Sequence, residues 1–332
     1  MRQHNQIGDM LCSLTLYKAL KNKYPASHIT LVAAKTNYEI PFFDINPYID
    51  SVIVFDKSSL KSILKFIRQL RSRKYQLGFV PSTIVLSRTS HIICRISGAK
   101  IRVGVKSIDG KENKSHKHLN LKADFDWKEK HQLIRNIEVA KLIGCNLSAD
   151  EINSIKINFN ENDIAFAKEF ISSNFPEQKR RIVAFHPGAG KQANIWDKNN
   201  FIELIKNLHL GFNNYVLLTS GWTDENIISQ ISKDLNLLNI DHKILHNAQI
   251  NKLGAVLYLV DLYITNDTGT MHIAGYSGAK MISLFGPTNP QEWAPSGLAQ
   301  LNIKSKDQDI NSISVEEVYS FAKTFLNKNK NF

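Results

Sequence analysis

The stretch Asp261-Leu262-Tyr263-Ile264-Thr265-Asn266-Asp267-Thr268-Gly269-Thr270-Met271-His272 joins an apolar, β-branched run to a polar turn and then to a helical period. Such a strand–turn–helix unit is the building block of a parallel sheet covered by helices. Backbone N–H groups at a helix start can hold phosphate oxygens, and Thr268 and Gly269 allow a phosphate to approach closely. The same turn also fits simple capping, with Asp267 or Thr268 as the N-cap. The stretch by itself leaves phosphate binding and capping open.

Similar units recur along the whole chain. In the first half the predicted strands are 29–33, 51–55, 77–81 and 101–105, and in the second half they are 181–185, 214–219, 242–245, 261–265 and 281–285. Helical periods separate them, and a last amphipathic helix is predicted over 315–326. The pattern predicts an α/β protein with two doubly wound sheets. We place the domains at 1–160 and 161–332, with a helix near 163–172 opening the second.

Size, charge and cysteine usage exclude several classes of protein. A chain of 332 residues with 43% hydrophobic and 22% charged residues is folded and of ordinary composition. The sequence has no apolar run long enough to span a membrane, no signal-peptide core at residues 1–6 and no paired cysteines. These features predict a cytoplasmic protein without a disulfide framework or a cysteine zinc site.

The positive charge lies in the first half of the chain. Residues 1–160 hold 26 basic and 13 acidic side chains, a net charge of +13, whereas residues 161–332 hold 16 and 17, a net charge of −1. A field of that sign attracts nucleic acid, an anionic membrane surface or a phosphorylated substrate, and solubility alone is the plain alternative. Nucleic acid is disfavoured because the basic half lacks interleaved aromatic platforms.

Two further loops are predicted to lie beside the turn at Thr268. The segment Phe185-His186-Pro187-Gly188-Ala189-Gly190-Lys191 follows the first strand of the second half, and Leu284-Phe285-Gly286-Pro287-Thr288-Asn289-Pro290 follows a later one. Ligands bind at the carboxyl edge of doubly wound sheets. The three loops are therefore expected to converge on one crevice, where Lys191 can meet an anion.

These motifs, taken together, resemble glycosyltransferase family 9, the heptosyltransferases of lipopolysaccharide core assembly. The similar segments are H-P-G-A at 186–189, N-D-T-G-x-M-H-x-A-G at 266–275 and L-F-G-P-T-x-P-x-x-W-x-P at 284–295, with I-G-D-M-L at 7–11 and K-H-Q through R-N at 130–136. The resemblance implies the GT-B architecture, in which two Rossmann-like domains face a cleft. The second domain would bind a nucleotide sugar and the first an acceptor.

The resemblance also assigns roles to residues. Asp9 would be the general base that takes the proton of the acceptor hydroxyl, although a carboxylate there also fits an N-cap. Glu225 would hydrogen-bond the nucleotide ribose, with first-turn helix charge as the alternative, and His272 would contact phosphate or be a helix-end histidine. The donor-binding set is Gly188, Lys191, Glu225, Asp267, Thr268, Gly269, Met271 and His272.

The implied reaction is transfer of a heptose from ADP-heptose to a hydroxyl of the lipopolysaccharide core, with inversion and without a metal or other cofactor. One departure leaves the donor open. The family carries Lys or Arg two residues before the Trp of this segment and Pro after it, but Asn194 and Asp197 stand there in this chain. Lys191 is close enough in sequence to substitute. The alternatives are another nucleotide sugar on another surface glycan, or a non-catalytic protein that binds a nucleotide sugar or glycolipid.

Two basic segments are candidates for contact with an anionic glycolipid acceptor. The loop 106–122 follows a predicted strand, and its Lys111, Lys114 and Lys117 are the predicted acceptor contacts. The helix 57–74 is amphipathic, with Leu60, Ile63, Leu64, Ile67 and Leu70 expected to pack on the first sheet and its basic face able to meet the inner membrane surface. A solvated lysine surface is the plain alternative for both.

Two other segments bear on the chemistry and on the start of the fold. Asp124-Phe125-Asp126 is formally the D-x-D metal motif of another glycosyltransferase architecture, but it lies in a polar stretch and is disfavoured. Chains of this family open with an apolar strand before I-G-D, whereas only residues 1–6 precede Ile7. The first strand is therefore expected to be missing, and we predict that upstream codons encode about five apolar residues that complete the sheet.

Overall fold

The structure is a computed structural model, and it describes residues 2–3, 7–34, 46–81, 86–176, 180–295 and 299–327. The chain divides into two compact units, unit 1 from Met1 to Ile155 and unit 2 from Lys156 to Phe332. This division lies five residues before the boundary predicted at residue 160. Each unit alternates strands and helices, as the sequence predicts.

Unit 1 contains seven described strands and six described helices. The strands are β1 (Arg2–Gln3), β2 (Thr30–Ala34), β3 (Ser51–Phe55), β4 (Leu77–Val80), β5 (Ile101–Ile108), β6 (Lys111–Glu112) and β7 (Leu121–Phe125). The helices are α1 (Ile7–Cys12), α2 (Leu14–Lys23), α3 (Leu60–Arg71), α4 (Arg88–Ile96), α5 (Gln132–Lys141) and α6 (Ala149–Asn153). The strand at 121–125 was not predicted, because its polar residues interrupt the apolar run that identifies the other strands.

The strands of unit 1 form two separate sheets in the described chain. One sheet has the order β1-β2-β3. In the other, β5 lies between β4 and β7, and β6 forms a hairpin with the end of β5. A mostly apolar cavity of about 820 Å³ is lined by residues of β2 and β4, with Leu20, Leu70 and Ile93 from the helices around it. The core of this unit is therefore interrupted between its two sheets.

The expectation that the first strand is missing is wrong for the residues just before the I-G-D segment. Arg2 pairs in parallel with Val32, and Gln3 pairs with Ala33. A short strand does lie beside β2, although it carries polar side chains. The predicted apolar segment ahead of it stays a prediction.

Helix α3 packs differently from the sequence prediction. Phe66 and Leu70 are buried against the sheet, with Ile67 partly buried beside them. Leu60 and Leu64, expected on the packed face, are 79% and 66% exposed. The buried stripe follows the spacing of residues 63, 66, 67 and 70, because Phe66 is the larger anchor.

Unit 2 is built around one parallel sheet. Its strands are β8 (Ile182–His186), β9 (Tyr215–Ser220), β10 (His242–His246), β11 (Leu262–Asn266), β12 (Met281–Phe285) and β13 (Gln300–Lys304). Its helices are α7 (Glu161–Asn174), α8 (Lys198–Phe212), α9 (Glu225–Leu237), α10 (Ile250–Leu259), α11 (Gly269–Ser277), α12 (Pro290–Trp293) and α13 (Val315–Asn327). The predicted last helix is confirmed.

The strand order of this sheet decides where a ligand can bind. The order is β10-β9-β8-β11-β12-β13, the doubly wound order of a dinucleotide-binding fold. The four central strands are buried along their whole length, since helices cover both faces. The order reverses between β8 and β11, so the crevice beyond their carboxyl ends is the expected binding place.

Candidate functional site

Three loops leave the sheet of unit 2 at the reversal point, after β8, β11 and β12. They meet at Asp267: the side-chain amide of Asn194 donates to the Asp267 backbone oxygen at 3.2 Å and to its carboxylate at 2.9 Å. Burial raises the pKa of Asp267, while a hydrogen bond from Thr288 and the charge of Lys191 oppose that rise. Residues of the loops after β8 and β12 therefore act on a single carboxylate in the loop after β11.

Backbone contacts fix the same loops. The Asn266 side chain is fully buried, donates to the Pro187 carbonyl at 2.8 Å and accepts from the Trp196 N–H at 3.3 Å. A Cβ atom at Gly286 would lie 2.8 Å from the Ala193 carbonyl. The predicted convergence of the three loops is confirmed.

The turn after β11 leads directly into α11. Thr268 occupies the N-cap position, but within the described chain its side chain makes no capping hydrogen bond. The Thr268 side chain therefore does not cap the helix, although the Met271 N–H donates to the Thr268 carbonyl at 3.1 Å. The N–H groups of Gly269 and Thr270 come before it in the first turn, where helix N–H groups lack intrahelical partners. Thr268 and Gly269 are both partly exposed, as binding of a phosphate requires.

The next two predicted donor contacts lie inside the unit. Met271 is fully buried and His272 is almost fully buried in α11. A buried thioether has no surface to offer a ligand, so the structure favours a packing role for Met271. The ligand role of His272 stays a prediction.

Gly188 lies against a carboxylate that no sequence motif marked as functional. A Cβ atom at residue 188 would overlap the carboxylate of Asp224. Asp224 accepts from the Gly221 N–H at 2.9 Å and lies 3.7 Å from Nε2 of buried His186. Burial lowers the pKa of His186, and the charge of Asp224 opposes this. In the sequence, the three-residue spacing from Gly221 to Asp224 is typical of a capping turn. This spacing was the signal that could have identified Asp224.

Glu225, the predicted ribose contact, begins α9 beside an exposed aromatic side chain. Its carboxylate is 68% exposed and lies 3.3 Å from Nε2 of His246, whose Nδ1 is 2.6 Å from the Ser220 hydroxyl. Trp222 packs edge-on against His246 with 5.9 Å between ring centroids, and it is 78% exposed. Trp222 and His246 were not predicted as site residues, since neither lies in a recognisable motif.

The two departures from the family pattern have local structural roles. Asn194 is buried and holds Asp267, as described above. Asp197 is the N-cap of α8 and accepts from the Asn199 N–H at 2.7 Å. Lys191 is exposed, and its charge reaches Asp267. Lys191 therefore brings a positive charge to the turn, as expected, whereas residue 194 is uncharged.

In unit 1, Asp9 is the third residue of α1 and is partly exposed. It lies within the first turn of that helix, so the N-cap alternative is wrong. Gly8 before it and Met10 and Leu11 after it are buried. The carboxylate is therefore held at the surface by a helix whose other side packs into the unit.

The predicted acceptor lysines lie on a hairpin and the segment after it: Lys111 is on β6, Lys114 follows β6, and Lys117 lies in the 3-10 helix His116–His118. Residues 106–122 were expected to form a loop, but β5 continues to Ile108 and pairs in antiparallel fashion with β6. Lys111, Lys114 and Lys117 line one cavity of about 870 Å³. The structure therefore brings the three lysines together.

Both carboxylates of the D-x-D segment accept hydrogen bonds from nearby residues. Asp124 lies on β7 and accepts from the Ser107 hydroxyl at 2.6 Å and Lys106 Nζ at 3.1 Å. Asp126 accepts from the Lys128 N–H at 3.2 Å. In the parts of the chain that the structure describes, no group of three His, Cys, Asp or Glu residues could hold a metal ion. Likewise, no described helix is long and apolar enough to cross a membrane.

Comparison with known proteins finds heptosyltransferases among the relatives of this chain. The chain is 24% identical to the lipopolysaccharide heptosyltransferase 3 of Escherichia coli K12, over 89% of this chain and 83% of that protein. It is 26% identical to the lipooligosaccharide heptosyltransferase 2 of Campylobacter jejuni, but that match spans only about half of each chain, 51% and 50%.

The fold has a close solved counterpart. The structure of the E. coli ADP-heptose LPS heptosyltransferase II covers 98% of this chain and 97% of its own, with a TM-score of 0.78 at 20% identity. The expected fold class, α/β GT-B with two Rossmann-like units, is confirmed. The model of glycosyltransferase family 9 (heptosyltransferase) matches residues 63–322, and the chain belongs to that family.

Proposed function

We propose that this protein transfers a heptose from ADP-heptose to a hydroxyl of a lipopolysaccharide core, inverting the anomeric centre. The observation that carries the proposal is the meeting of three loops at Asp267, beside the first-turn N–H groups of α11. Relatives named as lipopolysaccharide and lipooligosaccharide heptosyltransferases support the sugar and the acceptor class. The solved counterpart from E. coli is named as an ADP-heptose heptosyltransferase, which supports the donor.

In this reaction the diphosphate of the donor is bound at the start of α11. The N–H groups around Thr268 and Gly269 and the positive end of the helix dipole meet its oxygens. Lys191 adds one positive charge from the loop after β8. Glu225 follows β9 and His246 ends β10, the neighbouring strand. Both side chains therefore lie at the same edge of the sheet, where they can orient the nucleoside.

Asp9 is the proposed general base. As the acceptor hydroxyl attacks the anomeric carbon, its proton passes to the Asp9 carboxylate, and the bond from the anomeric carbon to the diphosphate breaks. Direct displacement by the hydroxyl places the new bond on the opposite face of the sugar, which is inversion. The developing negative charge on the leaving diphosphate is stabilised by amides and Lys191, and we propose that no metal takes part.

The acceptor is proposed to be an anionic glycolipid bound by unit 1, whose sequence carries the net positive charge. Peripheral contact with the inner membrane surface is proposed through α3. Leu60 and Leu64 are exposed there, and Lys61 and Lys65 lie in the same turns. Exposed apolar side chains beside lysines suit an anionic lipid surface.

The donor is tested by thermal unfolding against a panel of nucleotides and nucleotide sugars. A ligand at ~100 times its dissociation constant adds ~2.7 kcal/mol to the free energy of unfolding. ADP-heptose is expected to give the largest shift. A larger shift with another nucleotide sugar would replace the donor in this proposal while leaving the site in place.

The chemistry is tested separately with purified glycolipid acceptor. NMR analysis of the product should show the anomeric configuration opposite to that of the donor, and activity should persist in excess chelator. Retention of configuration would exclude direct displacement. Loss of activity in chelator that is restored by a divalent ion would exclude the metal-free mechanism.

A second donor is favoured by one observation. Asn194 stands where the family carries a cation, and its amide is committed to Asp267. Because a cation that would meet the diphosphate or sugar is replaced, transfer from another nucleotide sugar is the alternative function. In that case Asn194→Lys should raise turnover with ADP-heptose relative to the other donor.

A further inference from the structure

The cavity of about 870 Å³ in unit 1 lies where α4 begins beside the hairpin of β5 and β6. It is lined by basic side chains from both sides: Arg88, Lys111, Lys114 and Lys117, with His118 beside them. Two acids also line it, but Asp109 accepts from the Trp127 N–H at 2.7 Å and Glu112 lies 3.1 Å from His116 Nε2. Among the described residues, the four cations have no acidic partner within ion-pair distance.

The electrostatic field in this cavity is positive. Burial, and then the charges of Arg95, Lys117 and Arg88, lower the pKa of His118. The cavity also includes Leu86 and Arg88, on either side of the Ser87 N-cap of the nine-residue helix α4. Both the side chains and the positive helix end favour an anion.

Buried polar groups form part of the cavity wall, where Asn113 and Ser115 line it, and His91 lies behind them. His91, Asn113 and Ser115 are all nearly inaccessible to solvent. Oδ1 of Asn113 accepts from the Ser115 N–H at 3.1 Å and from its hydroxyl at 2.8 Å. Nδ2 of Asn113 donates to the Val105 carbonyl at 3.0 Å and lies 3.0 Å from Nε2 of His91. Every polar atom of the Asn113 side chain is therefore paired.

This pairing fixes the state of His91. Because Nδ2 of Asn113 can only donate, Nε2 of His91 accepts, and Nδ1–H donates to the Ser87 carbonyl at 2.7 Å. Burial lowers the pKa of His91, which agrees with a neutral ring. The chain of hydrogen bonds thus joins the N-cap of α4, next to Arg88, to the segment 111–117, which carries the three lysines.

A solvated lysine surface needs no such anchor. Asn113 and Ser115 are buried on either side of exposed Lys114, so the backbone here cannot move without breaking a buried hydrogen bond. Satisfied buried networks hold one conformation because an unpaired buried group is costly. The network therefore fixes the backbone from which Lys114 projects, and several positive side chains surround one cavity, which suits binding of a multivalent anion.

We propose that this cavity binds a phosphate group, and that His91, Asn113 and Ser115 are positioning residues that hold its cations in place. The assignment of the phosphate to the acceptor rests on the proposed function, whereas phosphate binding itself does not.

The first test uses inorganic phosphate as the probe, titrated into the full chain and followed by calorimetry at constant ionic strength. Gly269→Val is the background, because it removes the phosphate turn of unit 2 as a competing site. Arg88→Gln with Lys114→Gln is expected to weaken phosphate binding at least ~10-fold, as loss of charge-assisted hydrogen bonds does. Lys128→Gln, an exposed lysine outside the cavity, is the control. Equal affinity in both variants would overturn the proposal.

The second test concerns the positioning residues. His91→Phe keeps the ring volume but removes the hydrogen bonds of both ring nitrogens, to the Ser87 carbonyl, the Ser115 hydroxyl and the Asn113 amide. It is expected to weaken phosphate binding ~5-fold, the equivalent of one buried hydrogen bond. His91→Gln can still accept from Asn113 and should stay within ~2-fold of the parent. Circular dichroism verifies that each variant is folded, and Ser115→Ala provides a milder second variant. Unchanged phosphate affinity in His91→Phe and Ser115→Ala would show that the network has no positioning role.

The source of the phosphate is tested with glycolipid acceptor before and after phosphatase treatment. Dephosphorylation should raise the acceptor KM for the parent protein but not for the Arg88→Gln, Lys114→Gln variant, with kcat little changed. If inorganic phosphate binds but dephosphorylation has no effect, the site stands and its assignment to the acceptor is wrong. If donor binding and turnover fail altogether, the proposed function is wrong and the phosphate titration is unaffected.

Discussion

The two units present their candidate sites by different means. In unit 2 the site lies at the edge of one six-stranded parallel sheet whose central strands are buried throughout, and its loops are joined by hydrogen bonds to Asn266 and Asp267. In unit 1 the sheet is divided, an apolar cavity lies between the parts, and the basic site is on a hairpin. Both sites therefore depend on polar side chains that join separate segments, Asn266 and Asn194 in unit 2 and His91, Asn113 and Ser115 in unit 1.

The comparison also separates binding from proton transfer. Asp9→Asn in unit 1 is expected to lower kcat by roughly 100-fold to 10,000-fold, the contribution of a positioned general base. Donor affinity, a property of unit 2, should not change. Asp150→Asn, an exposed first-turn carboxylate of the same unit, is the control. Near-normal turnover in Asp9→Asn would remove Asp9 from the mechanism.

The converse change in unit 2 is Gly269→Val. A β-branched side chain at the first residue of α11 occupies the space that the diphosphate needs, so donor affinity should fall by ~100-fold or more. Gly269→Ala, with a smaller side chain, should give an intermediate loss. Calorimetric titration with the donor measures both. Unchanged affinity in the Val variant would mean that the phosphate turn is misassigned.

The divided sheet of unit 1 suggests a third experiment. Adding about five apolar β-branched residues ahead of Met1 should let them pair beside β2 and fill the neighbouring cavity, at ~1.5 to 3 kcal/mol for each fully buried side chain. Urea unfolding should show a higher midpoint. A polar extension of equal length is the control, and equal stabilisation by both would contradict insertion into the cavity.

A matched glycine pair probes the tight packing of unit 2. Gly188→Ala is expected to destabilise by ~1 to 3 kcal/mol, because the new Cβ overlaps the Asp224 carboxylate and the loop must shift. Gly190→Ala, two residues on, meets nothing within 4 Å and should be close to neutral. Thermal unfolding of the two variants tests this, and equal stability would show that the loop after β8 is not constrained by Asp224.

The smallest expected effect is on pH dependence. The pKa of buried His186 in unit 2 and of buried His91 in unit 1 is lowered in the folded protein. Below the ordinary histidine pKa of ~6.5 the unfolded chain therefore binds more protons than the folded one, so stability is lost as pH falls from 7 toward 5. His91→Gln should reduce this loss. An identical pH profile for that variant would mean that His91 does not titrate on unfolding.

The sequence predicted more of unit 2 than of unit 1. Its five predicted strands lie within one residue of the observed ones, because buried parallel strands are continuous apolar runs. The polar strands β7 and β13 were missed, since half-exposed strands with Asn, Lys or Asp lack that signal. The buried face of α3 shares residues 63, 67 and 70 with the predicted one but includes Phe66 in place of Leu60 and Leu64, because Phe66, which the spacing argument omitted, is a buried anchor.

Local patterns by themselves determined the fold class, the order of elements and the three loops of the candidate donor site, because turn residues and apolar periods are short-range signals. Only the tertiary structure decided that Asn194 holds Asp267, that Asp224 faces Gly188, and that His91 lies beneath the lysine hairpin. These pairs are 73, 36 and at least 20 residues apart in the chain. Such contacts depend on how strands are ordered in a sheet. The sequence around a polar residue does not indicate which distant residue will be its hydrogen-bond partner when the two are buried together.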